Sequence, residues 1–464
     1  MSYRGKDKKV DSLPIYNDGG TVEKKVKSST QINLKFLKLR FSSEDLPILV
    51  SIAISWVLVV HFIERLHVRL VLNRCGWKKW EPWSKNSDIH RVALVADPQL
   101  VDDYSYPDRP NILNNIIKKI SDNYLHRNYR FVQHLLDPDT TMFLGDLFDG
   151  GRYWEDKAWL EEYDRFNRIF PKHPDRRTIQ SLPGNHDIGF EDINPDKLKK
   201  FAAFFGPNND FLEIGNHSIV LLDSISLSSE DENIRKPAEE FLESVNNYLT
   251  PGYPHILLTH VPLYRINSQQ LCGPQRESTK LFPVQKGKQY QTVISSDLTT
   301  KVLNTIKPTL IFSGDDHDYC KITHDIESGS SATEITVKSA AMTAGIKYPA
   351  IQLLSLHNPV DSKGLSLSLD PTYKTEMCYL PDPYFGIGIY VAWLIFCILL
   401  LALHFIIPQV EAKILSKLKP NSVLPVFTSQ TPLTNRRNIK GFIVSSVMTV
   451  MIAYIIIGFY YINV

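Results

Sequence analysis

The stretch TTMFLGDLFDGG, residues 140–151, is an apolar β-type run that stops abruptly in Gly145-Asp146, with a second carboxylate, Asp149, three residues on and two glycines behind it. A strand that ends in ligand-type side chains is repeated elsewhere. RVALVAD (91–97), TIQSLPGNHD (178–187), HILLTH (255–260) and TLIFSGDDHD (309–318) have the same form. Between them lie amphipathic stretches at 111–136, 154–170, 197–205, 237–249 and 298–306, so strands alternate with helices and the pattern predicts a layered α/β fold. FLEIGNHSIVLLD (211–223) predicts a hairpin turning at Gly215-Asn216. Further β pattern at 335–344 and 351–356 predicts a second sheet facing the first.

In open α/β sheets, ligands gather outside the carboxyl ends of the strands. That rule predicts one rim carrying Asp97, Asp146, Asn185, His186, His260, Asp315 and His317, from five separate segments. One such residue alone would be a turn or a core histidine; five clusters of metal-ligating types together predict a metal site.

Composition bounds the rest. The chain has 464 residues, 43% apolar and 22% charged, which excludes a disordered or collagen-like protein. Lys and Arg number 52 against 50 Asp and Glu, a formal charge of +2 that offers no long-range attraction to nucleic acid, so no nucleic-acid partner is expected. Three windows, 46–63, 385–407 and 441–460, contain no charged residue, and each is long enough for a helix to cross a bilayer. They divide the chain into a basic tail (1–45), a membrane-proximal linker (64–89), a long domain (90–380) and a loop (408–440). The tail and the loop are rich in Lys and Arg, which predicts a cytoplasmic N-terminus and a lumenal domain; five basic residues from Arg65 to Lys79 run against that rule, but a long domain translocates regardless of its flanking charge. The tail itself reads as disordered. Cys75, Cys272, Cys320 and Cys378 lie in the translocated part and permit three pairings, and Asn216-His217-Ser218 is a glycosylation acceptor.

With Gly145-Asp146-Leu147-Phe148-Asp149, Gly184-Asn185-His186-Asp187, His260 and Gly314-Asp315-Asp316-His317 in that order, the chain resembles the calcineurin-like metallophosphoesterases over about residues 92–356. ADPQ (96–99), GDLFDGGR (145–152), HVPLYR (260–265) and GDDHDYC (314–320), within the membrane frame, are similar to the fungal cell-division-cycle branch. That branch belongs with endoplasmic-reticulum enzymes that remove ethanolamine phosphate from GPI-anchor glycans. The resemblance implies a metallophosphoesterase-type β-sandwich flanked by helices and inserted between transmembrane helices. It also implies two metals: Asp97 and His317 on the first, Asn185 and His260 on the second, Asp146 bridging. His186 would donate a proton to the leaving oxygen or stabilise the transition state, oriented by Asp149.

Two imidazoles of the family pattern are missing. Asp97-Pro98-Gln99 stands where Asp-x-His is usual, and Gly314-Asp315-Asp316-His317 where Gly-His-x-His is usual. Gln99 and Asp315 would then ligate through oxygen, Asp315 sharing a side with His317 in an extended segment and Asp316 facing away. Harder ligands favour a Mn2+ pair over zinc or iron. Gly150-Gly151 replaces the Arg-Gly of protein Ser/Thr phosphatases, leaving Arg109, Arg152, Arg265 and Arg276 as alternative anion grips. The expected function is therefore a phosphodiesterase of the endoplasmic-reticulum membrane, or the early Golgi, acting on a GPI-linked glycolipid or GPI-anchored protein. The alternatives are a manganese-binding, homeostatic or scaffold protein with little turnover, or a phosphoesterase for another substrate.

Overall fold

The computed structural model describes residues 45–84, 88–103, 105–287, 290–365, 367, 370–411 and 438–461. The basic tail and most of the 408–440 loop, both expected on the cytoplasmic side, lie outside the described residues.

Eleven strands form the two larger sheets: β1 (His90–Val95), β2 (Thr140–Phe143), β3 (Arg177–Ile179), β4 (Asp210–Ile214), β5 (His217–Leu222), β6 (His255–Thr259), β7 (Leu310–Ser313), β8 (Cys320–Asp325), β9 (Ser331–Thr336), β10 (Ala350–Leu356) and β11 (Tyr373–Tyr379). One sheet has the order β11-β10-β1-β2-β3, the other β8-β9-β7-β6-β5-β4. Strands β1, β2 and β3 run parallel, as do β5, β6, β7 and β9, while β10 pairs antiparallel with β1 and β11, β8 with β9, and β4 with β5.

Alternation along the strands builds two apolar layers. Val92 and Leu94 of β1 and Ile256 and Leu258 of β6 join the cluster between the sheets. Ala93, Val95 and Leu257 join the cluster beneath the helices, so the central strands are buried on both faces, as parallel strands usually are. The covering helices are α2 (Asn111–Phe131), α3 (Asp156–Ile169), α4 (Pro195–Phe205), α5 (Glu232–Ser244) and α6 (Ser296–Ile306).

The β-sandwich is as expected, but the composition of its sheets is not. The five motif strands do not share one sheet: β1, β2 and β3 belong to the first, β6 and β7 to the second. The second β pattern divides likewise, with β9 beside β7 and β10 beside β1. The hairpin β4–β5 turns at Gly215 and Asn216, both at positive φ (55° and 57°), as a type I′ turn requires. Three helix starts lie upstream of their apolar stripe because a cap sets them: Asn194 for α4, Asp231 for α5 and Ser295 for α6.

Three helical segments are long and apolar enough to cross a membrane: Leu46–Cys75, Pro383–Ile406 and Ile439–Tyr461. They are α1 (Asp45–His61) with its continuation, α7 (Pro383–Ile406) and α8 (Ile439–Tyr461), packed together through Trp56, Val60, Leu401, Phe405 and Ala453. The first outruns the uncharged 46–63 window. A wider π-type turn at Phe62–His67 carries Glu64, and helix resumes over Val68–Leu72. Glu64 is tolerated there because Arg127 Nη1 (2.8 Å), Asn123 Nδ2 (3.0 Å) and Tyr390 Oη (2.7 Å) all bond its carboxylate.

Candidate active site

The carboxyl ends of β1, β2, β6 and β7 meet where the two sheets come together. Glycine makes that approach possible: a Cβ on Gly145 would lie 2.5 Å from His260 Nδ1, and one on Gly184 2.1 Å from Asp146 Oδ1. The ligand-type residues themselves are bent into the left-handed region, with φ of 45° at Asp97, 30° at Gln99, 50° at Asp146, 67° at Asp315 and 65° at His317. Non-glycine residues rarely adopt this conformation, and it collects at functional sites.

His260 is the hub. Its Nδ1 donates to Leu144 O at 2.7 Å, leaving Nε2 as the acceptor. Around Nε2 lie Asn185 Oδ1 (3.3 Å), Asp146 Oδ1 (3.4 Å) and Asp315 Oδ1 (3.6 Å), and Asp97 Oδ1 is 3.7 Å from Nδ1. Ligand atoms of Asp97, Asp146 and His260 fall within 4.8 Å of one another. His317 turns Nδ1 to Ala344 O at 3.2 Å, which frees its other nitrogen in the same manner.

Asp315 and Asp316 do separate, but the expected cause is wrong: the backbone at Asp315 and His317 is left-handed and not extended. Asp315 N donates to Asp97 Oδ1 at 3.1 Å, while Asp316 accepts a two-pronged bond from Arg276. Gln99 reaches the cluster too, but through its amide nitrogen, which donates to Asp146 Oδ2 at 2.9 Å. Its carbonyl oxygen would face Asp146 only after a half-turn of the amide.

The electrostatics are those of a cation site. Burial lifts the Asp97 carboxyl well above its usual range, further raised by Asp146 and Asp315, and burial likewise pushes Asp315 up to about 7. Against its own burial, His260 is raised to about 9 by Asp146, Asp97 and Asp315. Asp97 Oδ2 is buried without a hydrogen-bond partner. An orphaned carboxylate oxygen among crowded acids fits divalent cations.

His186 is the second residue of the short helix Asn185–Ile188, its N–H donating to Asp146 Oδ1 at 2.9 Å. Its Nδ1 lies 2.7 Å from Asp149 O and 2.9 Å from Asp149 Oδ1, so the ring is oriented with Nε2 left over. Burial opposes protonation, but Asp146 and Asp149 outweigh it and raise the imidazole to about 9.

Asp187 was not foreseen. Its buried carboxylate accepts N–H bonds from Leu147, Phe148 and Gly184, which ties the GNHD helix to the loop after β2; GNHD places it one residue from His186, the only signal available. Among the arginines, Arg265 is fully buried against Glu334 (3.0 Å) and stacked on Phe282, so it cannot grip a substrate. Arg276 is committed to Asp316, and Arg109 lies over the Tyr106 ring. Arg152 Nη1 holds Asn185 O at 3.1 Å. Beside His317 a cavity of about 850 Å³ opens outward, lined by Lys280, Phe282 and Lys347 among others.

Two buried disulfides frame the domain. Cys75–Cys378 joins the end of the first long apolar helical segment to β11, and Cys272–Cys320 joins a surface loop to the segment after His317. At the glycosylation acceptor, Asn216 is half-buried and its Nδ2 donates to Asn358 O at 2.7 Å.

Fold and site together define a metal-dependent phosphoester hydrolase. The chain belongs to the calcineurin-like phosphoesterase family, whose profile matches residues 87–319. It is similar to Cell division control protein 1 of Saccharomyces cerevisiae, with 49% identity over 76% of this chain and 74% of that one. It is also similar to Metallophosphoesterase 1 of Xenopus laevis, with 29% identity over 72% of this chain and 84% of that protein. The Mus musculus protein of that name is 25% identical over 75% of this chain and 87% of its own length.

Proposed function

We propose that the protein is a two-metal phosphodiesterase that removes ethanolamine phosphate from a mannose of the GPI-anchor glycan. The observation that carries this reading is the convergence of Asp97, Asp146, Asn185, His260 and Asp315 on one point, in a chain with three membrane-crossing helices. Asp97 and His317 would hold one ion and Asn185 and His260 the other, with Asp146 between them, Asp315 adding oxygen and Gln99 doing so only once its amide turns over. This oxygen-rich set favours Mn2+. When bound, two such ions neutralise phosphoryl oxygens and activate water. His186, held by Asp149, gives its Nε2 proton to the leaving oxygen. The 850 Å³ cavity beside His317 has room for the sugar side of such a substrate.

The membrane frame confines the enzyme to the surface that carries a GPI lipid, which raises their effective concentration. Two disulfides suit an oxidising lumen, and the basic tail and loop favour a cytoplasmic N-terminus, in the endoplasmic reticulum or the early Golgi. The test is mass analysis of GPI glycans from cells with and without the protein, alongside purified enzyme assayed with Mn2+. Retained ethanolamine phosphate in the deficient cells is expected; unchanged glycans contradict the substrate assignment. The donor nitrogen that Gln99 turns to Asp146 favours a second reading, a manganese-holding or scaffold protein with little turnover. His186→Ala separates them, since a scaffold needs no proton donor: full function of that variant in cells would exclude catalysis.

A further inference from the structure

Helix α2 carries Ile112, Leu113 and Ile116 in its first turns, exposed by 77%, 44% and 50%. Three large apolar side chains so exposed at one end of a helix call for a covering partner. Further along the helix, Asn123 and Arg127 bond Glu64, just past the first uncharged window. Tyr124 Oη donates to Pro381 O at 2.8 Å, two residues before α7 begins, and Ile120 lines a cavity with Ile63, Gly386 and Ile387. Counting about 100° per residue, Ile112, Leu113 and Ile116 fall in the same arc of about 120° as Ile120, Asn123, Tyr124 and Arg127. The face seated on the ends of the membrane helices therefore continues, uncovered, to Ile112.

We propose that α2 lies along the bilayer surface and that Ile112, Leu113 and Ile116 are immersed in its interfacial region as a membrane anchor beside the active site. Continuity with the membrane helices identifies the occupant as lipid. The preceding loop suits the headgroup level: Arg109 covers the Tyr106 ring, an aromatic and basic pair of the kind that gathers at membrane interfaces. That loop also leads back to the site. Ser105, hydrogen-bonded to Asp102, lies close enough to the Asp149 carboxylate that orients His186 to act on it, and the chain reaches Asp97 eight residues earlier. The anchor thus sets the height of the catalytic rim over the bilayer and gives it access to a phosphodiester on a lipid-linked headgroup. It rests on the membrane frame of the proposed function and not on the identity of the substrate.

The test uses full-length protein in phosphatidylcholine vesicles, in a Cys397→Ala background where the four other cysteines are paired. Nitroxide labels are placed on Ile112→Cys, Ile116→Cys and, as an aqueous control, Glu240→Cys on α5. Accessibility to oxygen relative to a water-soluble nickel chelate should be severalfold higher at 112 and 116 than at 240. Ratios equal to the control overturn the proposal, as does burial at 112 and 116 that appears only when a second protein is added. Because this readout needs no turnover, failure of the substrate assignment leaves it untouched. In Ile112→Glu/Ile116→Glu the rate on a vesicle-borne phosphodiester, divided by that on a small soluble diester, should fall about tenfold. An unchanged ratio would mean that the immersion does not serve access.

Discussion

Asp146 is bonded by the His186 N–H and the Gln99 amide, and it lies 3.4 Å from His260 Nε2, so three segments depend on one carboxylate. Replacing it with Asn removes the charge shared by both proposed ions. Asp146→Asn should therefore lose both ions together, seen as bound metal by elemental analysis, and with them all turnover. His186→Ala should behave differently, keeping its metal while kcat falls about 10²- to 10⁴-fold, the range of a general acid. Away from the site, His217 is buried between Gly215 O (2.7 Å) and Thr372 Oγ1 (2.8 Å), and burial lowers its pKa to about 4 from 6.5. Above 6.5 the ring is neutral in both states and contributes nothing to pH dependence. Between 6.5 and about 4 the unfolded chain takes up the proton first, so stability falls with pH by up to about 3 kcal/mol. Thermal melts should show that loss in the parent and a flatter profile in His217→Gln; equal slopes would contradict the assignment.

At the scale of elements, the strand-end motifs were legible because each ligand follows an apolar run directly, as in TTMFLGD and TLIFSGD. Their division between two sheets was not, since Val92 and Ile256 carry no mark of which strand they will pair with; pairing is set by long-range register. Arg265 was open to misreading for a similar reason: only the folded chain brings it to Glu334, a residue on β9. The cysteine pairs were undetermined because spacing does not select among three connectivities. Cys272–Cys320 closes a loop of separation 48 around Arg276 and its partner Asp316. On loop entropy alone its removal costs about 4 kcal/mol. Cys272→Ser/Cys320→Ser should lower the melting temperature and raise the metal concentration needed for half-maximal activity, since Asp316 adjoins Asp315 and His317. A variant with lowered stability but unaltered metal dependence would limit the disulfide to a structural role.

For the molecule as a whole, the catalytic domain is tied to the three long apolar helices by the Cys75–Cys378 disulfide, by Val68 and Leu72 in the domain core, and by the buried Glu64–Arg127 pair, both side chains under 10% exposed. Arg127→Met leaves Glu64 buried with hydrogen bonds but no countercharge. That should cost about 3–5 kcal/mol and be seen as a lower melting temperature in detergent; Glu64→Gln in the same background should recover part of it. Three helices long and apolar enough to cross a membrane were legible from length and the absence of charge, whereas the extension of the first beyond Glu64 depended on partners from α2 and α7 that no local pattern announces. The central claim remains the gathering of Asp97, Asp146, Asn185, His260 and His317 around divalent ions. Anomalous X-ray scattering from crystals saturated with Mn2+ measures it most directly. Two peaks about 3.5–4 Å apart, with Asp146 between them, are the predicted result; no peak at these side chains would contradict it.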